Sequence, residues 1–111
     1  MCKWGQHQLL EVTHEEWSKY KICGHIINIG SSAEFYGIDS PLGNYSVQKQ
    51  SLRDLSLQFH KKNNIKTTHV IVGGINDGKA GHENWLAIDN IAQTIKYSLE
   101  HPDSIPLIAI L

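Results

Sequence analysis

Gly73-Gly74-Ile75-Asn76-Asp77-Gly78-Lys79-Ala80-Gly81 places four glycines within nine positions, directly after the β-branched run His69-Val70-Ile71-Val72. A glycine-rich loop after a buried strand and before a helix marks the carboxyl edge of a parallel sheet, where ligands of such folds bind. Glycines let backbone amides come close to a ligand, and the helix that follows offers unpaired N–H groups to an anion. Gly73, Gly74, Asn76, Asp77, Gly78 and Lys79 are therefore the candidate ligand-binding residues. A turn that needs only flexible residues accounts for the same glycines. The phosphate loop of nucleoside-triphosphate enzymes is excluded because Gly78-Lys79 is followed by Ala80, and the dinucleotide glycine fingerprint is absent.

Histidines are frequent, seven in 111 residues, and with the two cysteines they raise the question of a metal. Cys2, His7, His14, Cys23 and His25 supply soft and borderline ligands, and Cys23-x-His25 on a strand would share a face. No C-x-x-C or H-x-x-x-H pair supports them, so neither a metal nor another cofactor is expected. Met1-Cys2 would leave an amino-terminal cysteine nucleophile if Met1 were removed, a faint likeness to much longer amidotransferase and amidohydrolase domains.

The elements that must position these groups follow from periodicity. Leu52, Leu55 and Phe59 recur at helical spacing between Ser46 and Lys62, and Asn63-Asn64 breaks that helix. After the glycine loop, Ile88, Ile91, Ala92, Ile95 and Leu99 share a face of a helix expected over Glu83 to Glu100, which Pro102 stops. Ile105 to Leu111 reads as a second buried strand, completing a βαβ unit. In the first half, Gln8 to Thr13, Ile22 to Ile29 and Ala33 to Ile38 read as strands, and Thr13 with Glu16 has capping-box spacing. Asp39-Ser40-Pro41-Leu42-Gly43-Asn44 reads as a turn. The expected architecture is one small α/β domain over residues 1–111, with a mainly parallel sheet, a C-terminal βαβ unit and an irregular, strand-rich N-terminal half.

Thr68-His69-Val70-Ile71-Val72-Gly73-Gly74-Ile75-Asn76-Asp77 resembles the third conserved block, Gly-x-Asn-Asp, of the SGNH/GDSL hydrolases, and the likeness runs from Thr67 to Leu111. The resemblance implies a serine ester hydrolase in which Asn76 donates to an oxyanion. It also implies a serine nucleophile in Gly-Asp-Ser after the first strand. Ser32 keeps the strand and the spacing but has Ser31 in place of Asp, whereas Ser40 keeps Asp39 but has Ile38 inserted. The family's closing Asp-x-x-His does not occur here, which leaves His82 or His69 to act as base.

Composition narrows the partners. With 41% hydrophobic and 19% charged residues the chain is of globular type, and its formal charge of -1 favours neither nucleic acid nor an anionic membrane. Lys61, Lys62 and Lys66 read as a solvated helix end. The opening residues lack the order of a secretory signal, and the apolar run Pro106 to Leu111 is far shorter than a membrane helix, so a cytoplasmic location is expected. Three functions remain open: an SGNH-like hydrolase or degenerate relative acting on a small-molecule substrate, a non-enzymatic domain binding a small anion or nucleotide at the same loop, and a homo-oligomeric interaction protein pairing through its C-terminal strand.

Overall fold

The computed structural model describes residues 5–35 and 43–111. Three helices and three strands follow in the order α1 (Gly5–Lys19), β1 (His25–Ile29), α2 (Gly43–Phe59), β2 (Lys66–Val72), α3 (Ile88–Glu100) and β3 (Leu107–Ile110). A short 3-10 turn, Ser32–Phe35, follows β1. The strands form one parallel sheet in the order β1-β2-β3, with His25 opposite Lys66 and His69 opposite Leu107. Parallel neighbours require a crossover. Here α2 lies between β1 and β2 in the chain, and α3 between β2 and β3.

The central strand shows how the layers are arranged. From Thr67 to Val72 every residue of β2 is buried, as a strand covered on both faces must be. Val70 and Val72 pack with Ile91 of α3, together with Ile27, Ile95 and Ile110. The alternate residues meet the other layer: Thr67 Oγ1 donates to the Ser56 carbonyl of α2 at 2.6 Å, and Asn28 of β1 reaches Ser56 Oγ at 3.2 Å. Period-two alternation thus sends one set of side chains to α3 and the other to α2.

Gln8 to Thr13, expected as a strand, lies inside α1. The buried positions of this helix are His7, Leu10 and His14, a helical repeat hidden in the sequence because two of its three members are histidines. His7 Nε2 lies 3.1 Å from Ser51 Oγ, while His14 stacks on Phe59 and donates through Nε2 to the Lys62 carbonyl at 3.1 Å. Thr13 is mid-helix and caps nothing. The helix ends in a Schellman-type closure, with Ile22 N donating to the Trp17 carbonyl at 2.8 Å and Lys21 at φ 55°.

Other boundaries moved for identifiable reasons. Ala33 to Phe35 belongs to the 3-10 turn instead of a strand, and the rest of that expected strand lies outside the described residues. The helix α3 begins at Ile88, not Glu83, because Leu86 is held by an isolated bridge to Ile75, with Leu86 N donating to the Gly74 carbonyl at 2.9 Å. Among the described residues the strand β3 has only β2 as a neighbour and alternates between exposed and half-buried residues, so in that set it is an edge strand and not a buried one.

A polar junction joins the three strands on the α3 side. Thr68 Oγ1 spends its single proton on the Ile105 carbonyl at 2.7 Å, so His25 Nε2, also 2.7 Å away, must be the donor in their hydrogen bond. Ser98 of α3 adds a contact to the same oxygen at 3.4 Å. Burial, then the positive charges of Lys66 and His60, holds the His25 pKa below its ordinary 6.5. Burial does the same to His7, with Glu11 opposing and Lys49 assisting. A group of lowered folded pKa is protonated first in the unfolded chain, so stability is complete above 6.5 and falls as pH drops through that value. Denaturant midpoints measured across this range should fall toward acid, and His25→Gln should flatten the slope relative to the parent chain. A His25→Gln slope parallel to that of the parent would remove His25 as its source.

Candidate functional site

The carboxyl ends of all three strands meet at one edge. There Gly30 follows β1, Gly73 and Gly74 follow β2, and Leu111 follows β3. Ser32, Gly74, Asn84, Trp85, Leu86 and Leu111 line a cleft of about 350 Å³ at this edge. Its wall depends on Gly74 being glycine, because a Cβ there would come within 2.7 Å of the Trp85 ring. Trp85 in turn stacks on His82, their ring centroids 3.5 Å apart.

The glycine loop itself is self-contained. Asn76 Oδ1 accepts from Gly78 N at 3.0 Å, and Asp77 Oδ1 accepts from Lys79 N at 3.0 Å and from His82 Nδ1 at 2.7 Å. Gly78 and Gly81 have φ of +85° and +86°, so the sequence places glycine where the backbone is left-handed. The Lys79 amide, then the His82 side chain, holds the Asp77 carboxyl below the ordinary carboxylate range. The Gly78 and Lys79 amides expected to face a ligand are thus bound to the loop's own side chains, and Asn76 Oδ1 is engaged as an acceptor within the loop. Lys79 Nζ lies 3.7 Å from Asp77 Oδ2.

Of the expected site residues, the structure brings Ser32 and Gly74 to one cleft and keeps Asn76, Asp77, Gly78, Lys79 and His82 in the adjoining loop. Ser40 lies outside the described residues. His69 is wholly buried and bonded to Glu34 at 2.8 Å, which denies it any reach to a substrate. The suggested metal ligands are dispersed: His7 and His14 face α2, His25 bonds to Thr68, Cys23 is exposed, and Cys2 lies outside the described residues. Among the described residues no group of three or more His, Cys, Asp or Glu side chains could hold a metal. No helix among them is long and apolar enough to cross a membrane.

Sequence reasoning passed over a pair on α2. Tyr45 and Lys49 are four apart, on one helix face. Lys49 Nζ lies 5.5 Å from the Tyr45 ring centroid, donates to the Ile29 carbonyl at the end of β1 at 3.2 Å, and donates also to Gln6 Oε1. Burial lowers the Lys49 pKa and the Glu34 carboxyl opposes that shift. A phenol beside an anchored ammonium is a pair that can move a proton to or from a substrate oxygen. The four-residue spacing was the available signal, but in an amphipathic helix it is also what ordinary surface pairing produces.

No family model matches the chain, and no curated protein does. A solved structure described as the closed form of serine dehydrogenase complexed with NADP+ does match, with a TM-score of 0.73 and 21% identity over 96% of this chain. The present chain spans 50% of that one. This likeness overturns the SGNH/GDSL reading and the hydrolase function drawn from it, and the loop geometry agrees, since Asn76 holds its own turn. What the match shows is the fold, a small α/β domain with three parallel strands and helices, compatible with part of a Rossmann-like sheet.

Proposed function

We propose that this chain provides the substrate-side part of a nicotinamide-nucleotide-dependent oxidoreductase. The observation that carries this reading is the cleft at the carboxyl ends of three parallel strands, in a fold shared with a protein solved with NADP+. The residues present fit one end of such a nucleotide. About 350 Å³ is at the small end of ligand pockets, suited to a nicotinamide with its ribose and not to a whole dinucleotide. Trp85, Leu86 and Leu111 supply apolar and aromatic walls, while Ser32 and Asn84 supply hydrogen-bonding groups.

A nicotinamide nucleotide, when bound, supplies or accepts the hydride. In reduction Tyr45 Oη would give its phenolic proton to the carbonyl oxygen that receives the hydride at its carbon, leaving a phenolate; in oxidation that phenolate would take the proton of the substrate hydroxyl and become the phenol again. Lys49 offers positive charge where negative charge develops during that transfer, and its bond to the Ile29 carbonyl fixes it there. Ser31 or Ser32 orients the substrate oxygen. This reading keeps the nucleotide-binding expectation but moves the ligand from the loop amides to the cleft beside them.

Titration with NADPH, followed by tryptophan emission, tests the reading. The signal of Trp85 should quench saturably, and Trp85→Phe should abolish the response. Ligand at about 100 times its dissociation constant should add roughly 2.7 kcal/mol of stability. In NADPH-dependent reduction of short ketones, Tyr45→Phe should lower the rate about 10²–10⁴-fold. Absence of saturable quenching at millimolar nucleotide would sink the proposal, and unchanged turnover in Tyr45→Phe would remove Tyr45 from its role.

A further inference from the structure

We propose that Glu34 and His69 are positioning residues whose buried pair fixes the Gly30–Ser32 turn, and with it the serine hydroxyls, at the mouth of the cleft. The inference rests on the oxidoreductase reading for its consequence, but its geometry is independent of that reading.

Both side chains are fully inaccessible, with Glu34 Oε2 and His69 Nε2 2.8 Å apart. A buried carboxyl is costly unless donors converge on it. Here two hydrogen-bond donors arrive, from the turn and from β2, with one cation from α2, while Oε1 itself accepts no hydrogen bond. Ser31 N donates to Glu34 Oε2 at 3.0 Å from the turn, His69 Nε2 donates to the same oxygen from β2, and the Arg53 guanidinium of α2 stands 3.5 Å from Oε1. Gln50 of α2 adds a bond to the Glu34 carbonyl at 2.6 Å.

The turn lies directly on the pair. Gly30 N donates to the Val70 carbonyl at 2.7 Å, and a Cβ at Gly30 would collide with both Glu34 Oε2 and His69 Nε2. Ser31 Oγ is then held by Ala33 N at 3.1 Å, while Ser32 lines the cleft. A residue needed only to fill the interior would be apolar. A carboxyl at this place makes sense as an anchor for the Ser31 amide, and it also lies within electrostatic reach of Lys49, whose ammonium holds the end of β1.

The experiment uses the whole chain, isotopically labelled. A scalar coupling across the hydrogen bond, between the Ser31 amide nitrogen and the Glu34 carboxyl carbon, is expected, together with slow exchange of the Ser31 amide. Glu34→Gln keeps an acceptor oxygen and removes the charge, so exchange at Ser31 should speed by about tenfold. NADPH binding should weaken by at least about threefold in Glu34→Gln and in His69→Asn, because the turn loses its fixed place. Absence of the coupling with fast Ser31 exchange in the parent chain overturns the proposal without any variant having to fold. Folded variants that bind NADPH as tightly as the parent overturn it as well, since the pair would then serve stability alone. A parent that shows the coupling yet ignores NADPH supports the positioning role and overturns the oxidoreductase reading instead.

Discussion

Gly30→Ala should lower the melting temperature by at least roughly 10 °C, because a Cβ there makes the closest approach found at any of the described glycines. The new Cβ would lie inside van der Waals contact of Glu34 Oε2 and His69 Nε2, and it cannot be accommodated by swinging a free side chain aside. Glu34 is held by Ser31 and His69 and faces Arg53, and His69 sits in the middle of the central strand. Separating the pair leaves a buried charge poorly compensated, which costs about 3–5 kcal/mol. Calorimetry of the purified variant checks this. A melting temperature within about 2 °C of the parent would mean that the turn can lift off the pair at little cost.

Leu52→Ala is expected to cost about 2–5 kcal/mol, the range for truncating a fully buried leucine. Leu52 has no exposed surface and lies on α2, the helix that carries Tyr45, Lys49 and Arg53. Leu99 of α3 is half exposed, and the same truncation there should cost about 1 kcal/mol or less. Urea unfolding of the two variants separates them. Equal losses would show that burial does not decide the cost here. A shift of α2 in the Leu52 variant should also disturb the Lys49 anchor on Ile29, so its NADPH response should weaken where that of the Leu99 variant does not.

The second half of the fold was legible because its pattern is apolar and regular. Val70, Ile71 and Val72 announce a doubly covered strand, and Ile91 and Ile95 announce the face of α3 that packs on it. The helix α1 was not legible, since its inward positions are filled by His7 and His14, whose burial depends on Ser51, Phe59 and the Lys62 carbonyl far along the chain. The edge position of β3 was equally hidden, because an apolar run does not say how many neighbours its strand has.

The site was legible as an address and not as a set of residues. The glycines pointed to the carboxyl edge of the sheet, and Ser32 and Gly74 do line the cleft there. Lys49 gave no sign in the sequence of its reach to the end of β1, nor Trp85 and Asn84 of theirs to the cleft wall, because these contacts exist only after the crossovers bring separate elements together. The Gly-x-Asn-Asp likeness misled because four residues can arise from turn chemistry alone, and Asn76 serves such a turn.

Every side chain of β2 from Thr67 onward is enclosed by a neighbouring layer, whereas β3 turns alternate residues outward. Descendants of this chain should therefore drift unevenly. Mutational change would accumulate along the outer strand and on the half-exposed side of the last helix, and the middle strand would be kept nearly fixed, so that divergent copies would agree most in the six enclosed residues from Thr67 to Val72.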